Sequence, residues 1–170
     1  MNIRNAKGFT LIEIVITLAV MAILVSWGFP SLQESIKNNR MAAQNNEMMA
    51  ILKYARSEAI RRNTDVTVNI SAVTGGWTAY VDDPDNEADV ANCALGQLRC
   101  ASAGNVTLTG VPGTPLIFNN RGYVKEASGA TFGTEINLFL EHENCRGTNQ
   151  RRRIHVAPTG QVTSEALSCS

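Results

Sequence analysis

Hydrophobic positions along the chain fall into two regimes. Residues 9–29 are almost continuously apolar, 21 residues with a single charge, Glu13. At about 1.5 Å per residue, a helix of that length matches a hydrocarbon layer about 30 Å thick, so the run predicts a membrane span. Further along the pattern becomes periodic. Met41, Met48, Leu52, Ala55 and Ala59 recur at intervals of seven, four, three and four, which lays one apolar stripe along an amphipathic helix expected to pack on the body of the domain. That pattern ends near Arg62, after which Val66, Val68 and Ile70 alternate as one face of a strand. Gly75-Gly76 marks a turn before a strand at 77–81, and the Gly/Pro cluster at 110–115 marks another before Leu116-Ile117-Phe118. Further strands are predicted at 106–108, 135–140, 152–157 and 161–163, the last two joined as a hairpin at Pro158-Thr159-Gly160. No repeat and no low-complexity linker interrupts this order. The fold class predicted is α+β: a long N-terminal helix, membrane-spanning in its first half and amphipathic in its second, packed on an antiparallel β-sheet.

At 170 residues and 18.4 kDa there is room for one domain with a modest core. Fifteen Lys+Arg offset fifteen Asp+Glu, and 18% charged residues is below the usual share of about 25%. A general nucleic-acid coat is thereby excluded, and any basic partner site must be local. Arg4 and Lys7 precede the apolar run, so the short N-terminus is expected in the cytoplasm and the rest beyond the membrane. Ser26-Trp27-Gly28-Phe29-Pro30 offers bulky residues where a secretory signal would place a small-residue cleavage site, so the helix is expected to be retained. Gly28 and Pro30 are expected to bend or locally melt it at the outer membrane face, with an ordinary helix end as the alternative. Glu13 stands out, because a carboxylate within a membrane helix costs about 2.5 kcal/mol or more without a partner. The span holds no cation. A partner from another chain, protonation, or a wet position near the cytoplasmic face would each resolve the cost.

Four cysteines in an exported domain point to disulfides with three connectivities open. Cys93–Cys100, a local loop closing an irregular segment, and Cys145–Cys169, a clasp on the C-terminus, are the pairing preferred here, each worth about 2–4 kcal/mol. Zinc is disfavoured, since Cys93 and Cys100 are too far apart for a CxxC knuckle and no His pair is suitably placed. His142 and His155 are the only histidines. With no metalloprotease, hydrolase, phosphate-loop or dinucleotide motif present, no enzyme, cofactor or metal is predicted. Glu141-His142-Glu143 is read as a solvated edge. Asp83, Asp85, Glu87 and Asp89 alternate like the start of a calcium loop, but Ala88 and Ala94 stand where glycine and glutamate are needed, so a hydrated acidic loop is expected. The one local basic cluster is Arg151-Arg152-Arg153 with Arg146 nearby, the candidate contact for DNA or a protein partner. An extended chain sends Arg151 and Arg153 to one face and Arg152 to the other, where they would keep a sheet edge soluble or dock a neighbouring subunit.

The run Lys7-Gly8-Phe9-Thr10-Leu11-Ile12-Glu13 resembles the cleavage and methylation signature of type IV prepilins and type II secretion pseudopilins. The resemblance implies a prepilin peptidase that cuts after Gly8 and methylates the new amine of Phe9. It places the family's acidic residue at Glu13, fifth in the processed chain, where it pairs with the N-terminal amine of a neighbouring subunit during assembly. Pro30 falls where pilins commonly carry a helix-disturbing proline. The stretch from Tyr54 to Asn63, the strand after it, the Trp77 strand with Asp82-Asp83, and Arg151 to Val156 leading to Thr159-Gly160-Gln161-Val162 look like the GspH/FimT branch. That branch holds minor pseudopilins and FimU- and FimT-like minor pilins.

By this resemblance residues 1–8 are a leader peptide, 9–29 the transmembrane and assembly half of the helix, and 30–170 a periplasmic pilin domain, helical to about 62. The chain would sit in the inner membrane, then in a pilus at the cell surface. Its partners would be other minor and major pilins, the peptidase and the assembly platform. The expected function is a minor pilin near the tip that primes assembly. The alternatives are a DNA-binding minor pilin for uptake, and a minor pseudopilin of type II secretion. DNA-binding members carry a Gly-Arg-x-Arg motif; the corresponding stretch here reads Gly160-Gln161-Val162-Thr163, which makes DNA the less favoured partner.

Overall fold

The structure, a computed structural model, describes residues 8–85, 93–94, 96–125, 133, 135–147 and 149–169. The side chains of residues 27, 28 and 30 also lie outside the description. The chain contains helix α1 (Leu11–Arg62) and strands β1 (Val66–Val73), β2 (Gly76–Asp82), β3 (Gln97–Gly104), β4 (Val106–Thr109), β5 (Leu116–Phe118), β6 (Val124–Lys125), β7 (Ile136–His142), β8 (Arg151–Val156) and β9 (Val162–Leu167). It divides into two units, one ending at Lys37 and one comprising Asn38–Ser170.

Within the first unit, the apolar side chains of α1 are exposed on every side, from Leu11 and Ile12 through Ile16, Met21 and Leu24 to Phe29. A helix apolar all round is suited to lipid or to other helices, not to water. Among the described residues no single helix is long and apolar enough to cross a membrane; Leu11–Ser26 taken together with Ser31–Arg62 has the length and composition. The expected span 9–29 therefore falls partly on side chains outside the description. The chain remains helical at positions 28 and 30 but bends by 40° between Leu11–Ser26 and Ser31–Arg62, so of the bend or local melting expected there it shows the bend. A proline in a helix removes one donor and crowds one carbonyl, which need not unwind the neighbouring turns.

Within the second unit, Met41, Met48, Ile51, Leu52, Ala55 and Ala59 are completely buried. They form the helical side of a core completed by Val66, Val68, Trp77, Val81, Leu116, Phe118, Leu138, Leu140 and Ile154. Two polar residues of this stretch are buried as well, Asn45 and Glu58. The Asn45 Oδ1 accepts a hydrogen bond from the Ser164 hydroxyl at 2.7 Å, which meets the need of a polar group removed from water. The helix ends as expected, at Arg62. Asn63 takes a left-handed conformation (φ 54°), Thr64 N–H donates to Ala59 C=O at 3.2 Å and Asn63 N–H to Ile60 C=O at 3.4 Å, the paired bonds of a Schellman cap.

The strands make two sheets where the sequence predicted one. A five-stranded sheet runs β3-β2-β1-β5-β6 and a four-stranded sheet β4-β7-β8-β9, with every pair antiparallel. Alternation along a strand reveals its two faces but not its neighbours. Strand β3 was expected as irregular chain; it pairs with β2 along its length, with a register shift at Val81/Asp82 that disturbs the alternation at that end. The β8–β9 hairpin turns at Pro158-Thr159-Gly160 as predicted, closed by Ala157 N–H to Gln161 C=O at 2.9 Å and Gly160 N–H to Ala157 C=O at 2.8 Å.

Candidate functional site

The N-terminal residues of the signature stand outside the helix. Gly8, Phe9 and Thr10 precede α1, Phe9 is 79% exposed, and a Cβ built on Gly8 meets nothing within 4 Å. Among the described residues, no packing contact demands glycine at position 8. Thr10 is the N-cap. Its hydroxyl accepts from Glu13 N–H at 3.3 Å, and its carbonyl accepts from Glu13 N–H at 3.1 Å and from Ile14 N–H at 3.3 Å. The helix start leaves N–H groups without intrahelical partners, and a Thr side chain at the cap supplies one acceptor. Glu13 lies in the first turn, where a negative charge is favoured by the positive end of the helix dipole. Sequence reasoning passed over Thr10, although Thr10-Leu11-Ile12-Glu13 fits the S/T-x-x-E capping pattern. Arg4 and Lys7 lie outside the described residues.

The arginine cluster is placed differently from the expectation. Strand β8 lies inside the four-stranded sheet between β7 and β9, so Arg151, Arg152 and Arg153 do not protect an edge. The core-facing positions Ile154 and Val156 are buried, which puts Arg151, Arg153 and His155 on the opposite face. There each has a carboxylate. Arg151 Nε is 3.4 Å from Glu141 and its guanidinium lies over the Phe139 ring at 5.7 Å; Arg153 pairs with Glu165; His155 Nε2 is 2.8 Å from Glu135. The paired face carries little net charge. Arg146 is exposed in the loop after β7.

The expected solvated edge at Glu141-His142-Glu143 is corrected too. Glu141 and His142 belong to β7, an inner strand, and His142 is buried with Nδ1 accepting from Asn144 N–H at 3.2 Å. The hydrated acidic loop is likewise revised at its start. The Asp83 side chain is only 2% exposed, and Arg62 lies between it and Asp85 with ion pairs of 2.7 and 2.8 Å. Arg62 also holds buried Glu58 at 2.9 Å, while Arg61 reaches Glu58 at 2.5 Å. Hydrogen bonding from Arg61 holds Glu58 below its ordinary carboxylate range, against burial, which pushes it up. Asp82 behaves oppositely: burial raises it, and the hydrogen bond from Asn69 at 2.7 Å only partly offsets this. Glu87 and Asp89 lie outside the described residues. Among the described residues no group of three or more His, Cys, Asp or Glu side chains could hold a metal ion.

Both disulfides join the pairs preferred from sequence, Cys93–Cys100 and Cys145–Cys169. Cys100 lies on edge strand β3, and Cys169 N–H donates to Gly147 C=O at 3.0 Å. Arg56, singled out by nothing in its spacing, binds two turns at once: its Nε donates to Gly122 C=O and its Nη2 to Thr159 C=O, each at 3.1 Å. Gly122 and Gly160 both have positive φ, and a Cβ at Gly160 would lie 1.9 Å from Gly122 O. Only glycine permits that approach.

The pattern of a family described as type II transport protein GspH matches residues 44–160, and that of the prokaryotic N-terminal methylation motif matches residues 3–29. No curated protein matches the chain. Among solved structures, the type IV minor pilin FimU of Pseudomonas aeruginosa in its P21 crystal form aligns at TM-score 0.52 and 20% identity, over 75% of this chain and 89% of that one. Its P65 form aligns at TM-score 0.48 and 20% identity, over 71% and 88%.

Proposed function

Because this chain belongs to the family of type II transport protein GspH and carries the prokaryotic N-terminal methylation motif ahead of that match, we propose that it is a minor pilin of a type IV pilus. Its role is structural: a subunit near the tip from which assembly is primed. The observation that carries this reading is the joining, in one chain, of an exposed Gly8-Phe9 bond, an all-round apolar helix with one acid in its first turn, and a disulfide-bonded GspH-type domain.

On this reading the prepilin peptidase cuts after Gly8 and methylates Phe9. Residues 9–29 anchor the chain in the inner membrane, with the N-terminus cytoplasmic and the domain periplasmic, until the helix is drawn into the filament. Glu13 then meets the amine of a neighbouring subunit. Bringing the two charges together in hydrocarbon offsets a burial cost of about 2.5 kcal/mol or more that neither chain can offset alone. Specificity for the next subunit comes from the domain's surface, including the neutralised face around Arg151 and Arg153. DNA is the weaker reading, since the outward cations have carboxylate partners at hand and fewer positive charges remain for phosphates. A pseudopilin of type II secretion is the second reading, favoured by the family's description.

The test is incorporation. Glu13→Ala is expected to leave the chain at normal levels in the membrane while depleting it from sheared pili. Normal amounts of the variant in pili would refute the assembly role. Recovery of the wild-type chain with secretion components and never with pili would decide for the second reading.

A further inference from the structure

Hydrolysis of an amide adds water across the bond: the carbonyl carbon takes the hydroxyl, the C–N bond breaks and the leaving nitrogen takes a proton. The carbonyl must be reachable from outside, and a peptide group wound into a helix has its neighbours packed around it, so the helix must begin beyond the bond to be cut. In this chain it begins two residues beyond. Gly8 and Phe9 are non-helical and exposed, and α1 starts at Leu11 directly after Thr10. Among the described residues, the side-chain hydrogen bond at this start is the one that Glu13 N–H donates to the Thr10 hydroxyl at 3.3 Å, beside its 3.1 Å bond to the Thr10 carbonyl. The next residue of capping type upstream in the sequence is Asn5. A helix capped there would enclose both Gly8 and Phe9. The composition is mixed for such an extension, since Ala6 and Lys7 favour helix, Phe9 and Thr10 are weaker formers and Gly8 disfavours it.

We infer that Thr10 is a positioning residue for processing: its hydroxyl holds the start of the helix at Leu11 and so keeps the Gly8–Phe9 bond in non-helical, accessible chain. This rests on the reading of the chain as a prepilin.

The experiment co-expresses the full-length chain with a prepilin peptidase and follows the fraction cleaved with time by intact mass. Variants at position 10 separate capping from contact with the enzyme, because the two rank side chains differently. Capping ranks Asn and Ser with or above Thr, Gly close behind, and Ala and Val far below. Contact by shape would rank Val, the isostere of Thr, first. Thr10→Ala and Thr10→Val are expected to slow cleavage roughly fivefold, the equivalent of about 1 kcal/mol, with Thr10→Ser, Thr10→Asn and Thr10→Gly within about twofold of wild type. Wild-type rates for Thr10→Ala, or a fast Thr10→Val beside a slow Thr10→Asn, overturn the role of Thr10 and leave the prepilin reading standing. Gly8→Val is the control. If it is cut as fast as wild type, or wild type is not cut at all, the prepilin reading falls and takes this inference with it.

Discussion

Replacing Gly160 with alanine tests how the two sheets and the helix are tied together. The new Cβ would sit 1.9 Å from Gly122 O, 2.9 Å from Arg56 Nε and 3.1 Å from Gly122 C. An ordinary carbon–oxygen contact exceeds 3 Å, so one turn must retreat by at least about 1 Å. That retreat breaks or stretches the bonds from Arg56 to Gly122 C=O and Thr159 C=O and the bond from Val124 N–H to Pro158 C=O. The loss of charged-donor bonds costs about 1.5–3 kcal/mol. Holding a non-glycine residue at φ +75° adds about 1–2 kcal/mol. The sum is about 2.5–5 kcal/mol. For a domain of this size each kcal/mol lowers Tm by about 3–4 °C, giving a fall of about 10–20 °C in thermal unfolding followed by near-UV circular dichroism. Gly113→Ala is the matched control: nothing lies within 4 Å of its Cβ and its φ is not positive, so it should shift Tm by no more than about 2 °C. A Gly160→Ala variant within about 0.5 kcal/mol of wild type would mean that the turns are not held by this contact.

Opening Cys145–Cys169, which closes a loop of sequence separation 24, should cost about 3.5 kcal/mol by chain entropy; urea unfolding of Cys145→Ser/Cys169→Ser against wild type measures it. Glu58 is lowered in the folded state, so its contribution is fully present above its unfolded value of 4.5 and is lost as pH falls through the lower folded value. The Tm should therefore fall below about pH 4.5, and Glu58→Gln should flatten that limb. Asp82 is raised from 3.8 by burial, so its contribution has the opposite sign, present at low pH and lost as pH rises through the folded value; Asp82→Asn removes it. Titration with duplex DNA at two salt concentrations should show no salt-sensitive binding, and binding lost on Arg151→Gln/Arg153→Gln would reverse that reading.

The parts legible in sequence were those whose signal is local. The stripe from Met41 to Ala59, the alternation at Val66, the hairpin at Pro158-Thr159-Gly160 and the two cysteine pairs all express periodicity, turn chemistry or short separation. What escaped depends on pairing between distant segments. Nothing in Arg151-Arg152-Arg153 says that β7 and β9 flank it, yet that decides whether the arginines protect an edge or meet Glu141 and Glu165 across a sheet. Strand β3 hid because Gln97-Leu98-Arg99-Cys100 lacks alternation; Arg99 occupies a core-side position only by reaching out to Glu47 at 3.1 Å and over the Tyr54 ring. Asp83 read as hydrated because Arg62 is 21 positions away. Thr10 was legible and was missed, since attention to an acid in an apolar run obscured the hydroxyl three residues before it.

The way α1 meets both sheets from Met41 to Arg62 has a mechanical consequence. Its buried residues recur along the helix from Met41 to Ala59, and Arg56 and Arg62 tie its far end to Gly122, Thr159 and Asp83. A tug along that axis would load these contacts together, as in a lap joint, instead of peeling one after another. On the reading of the chain as a filament subunit, such a joint should resist tension along the helix better than tension across it.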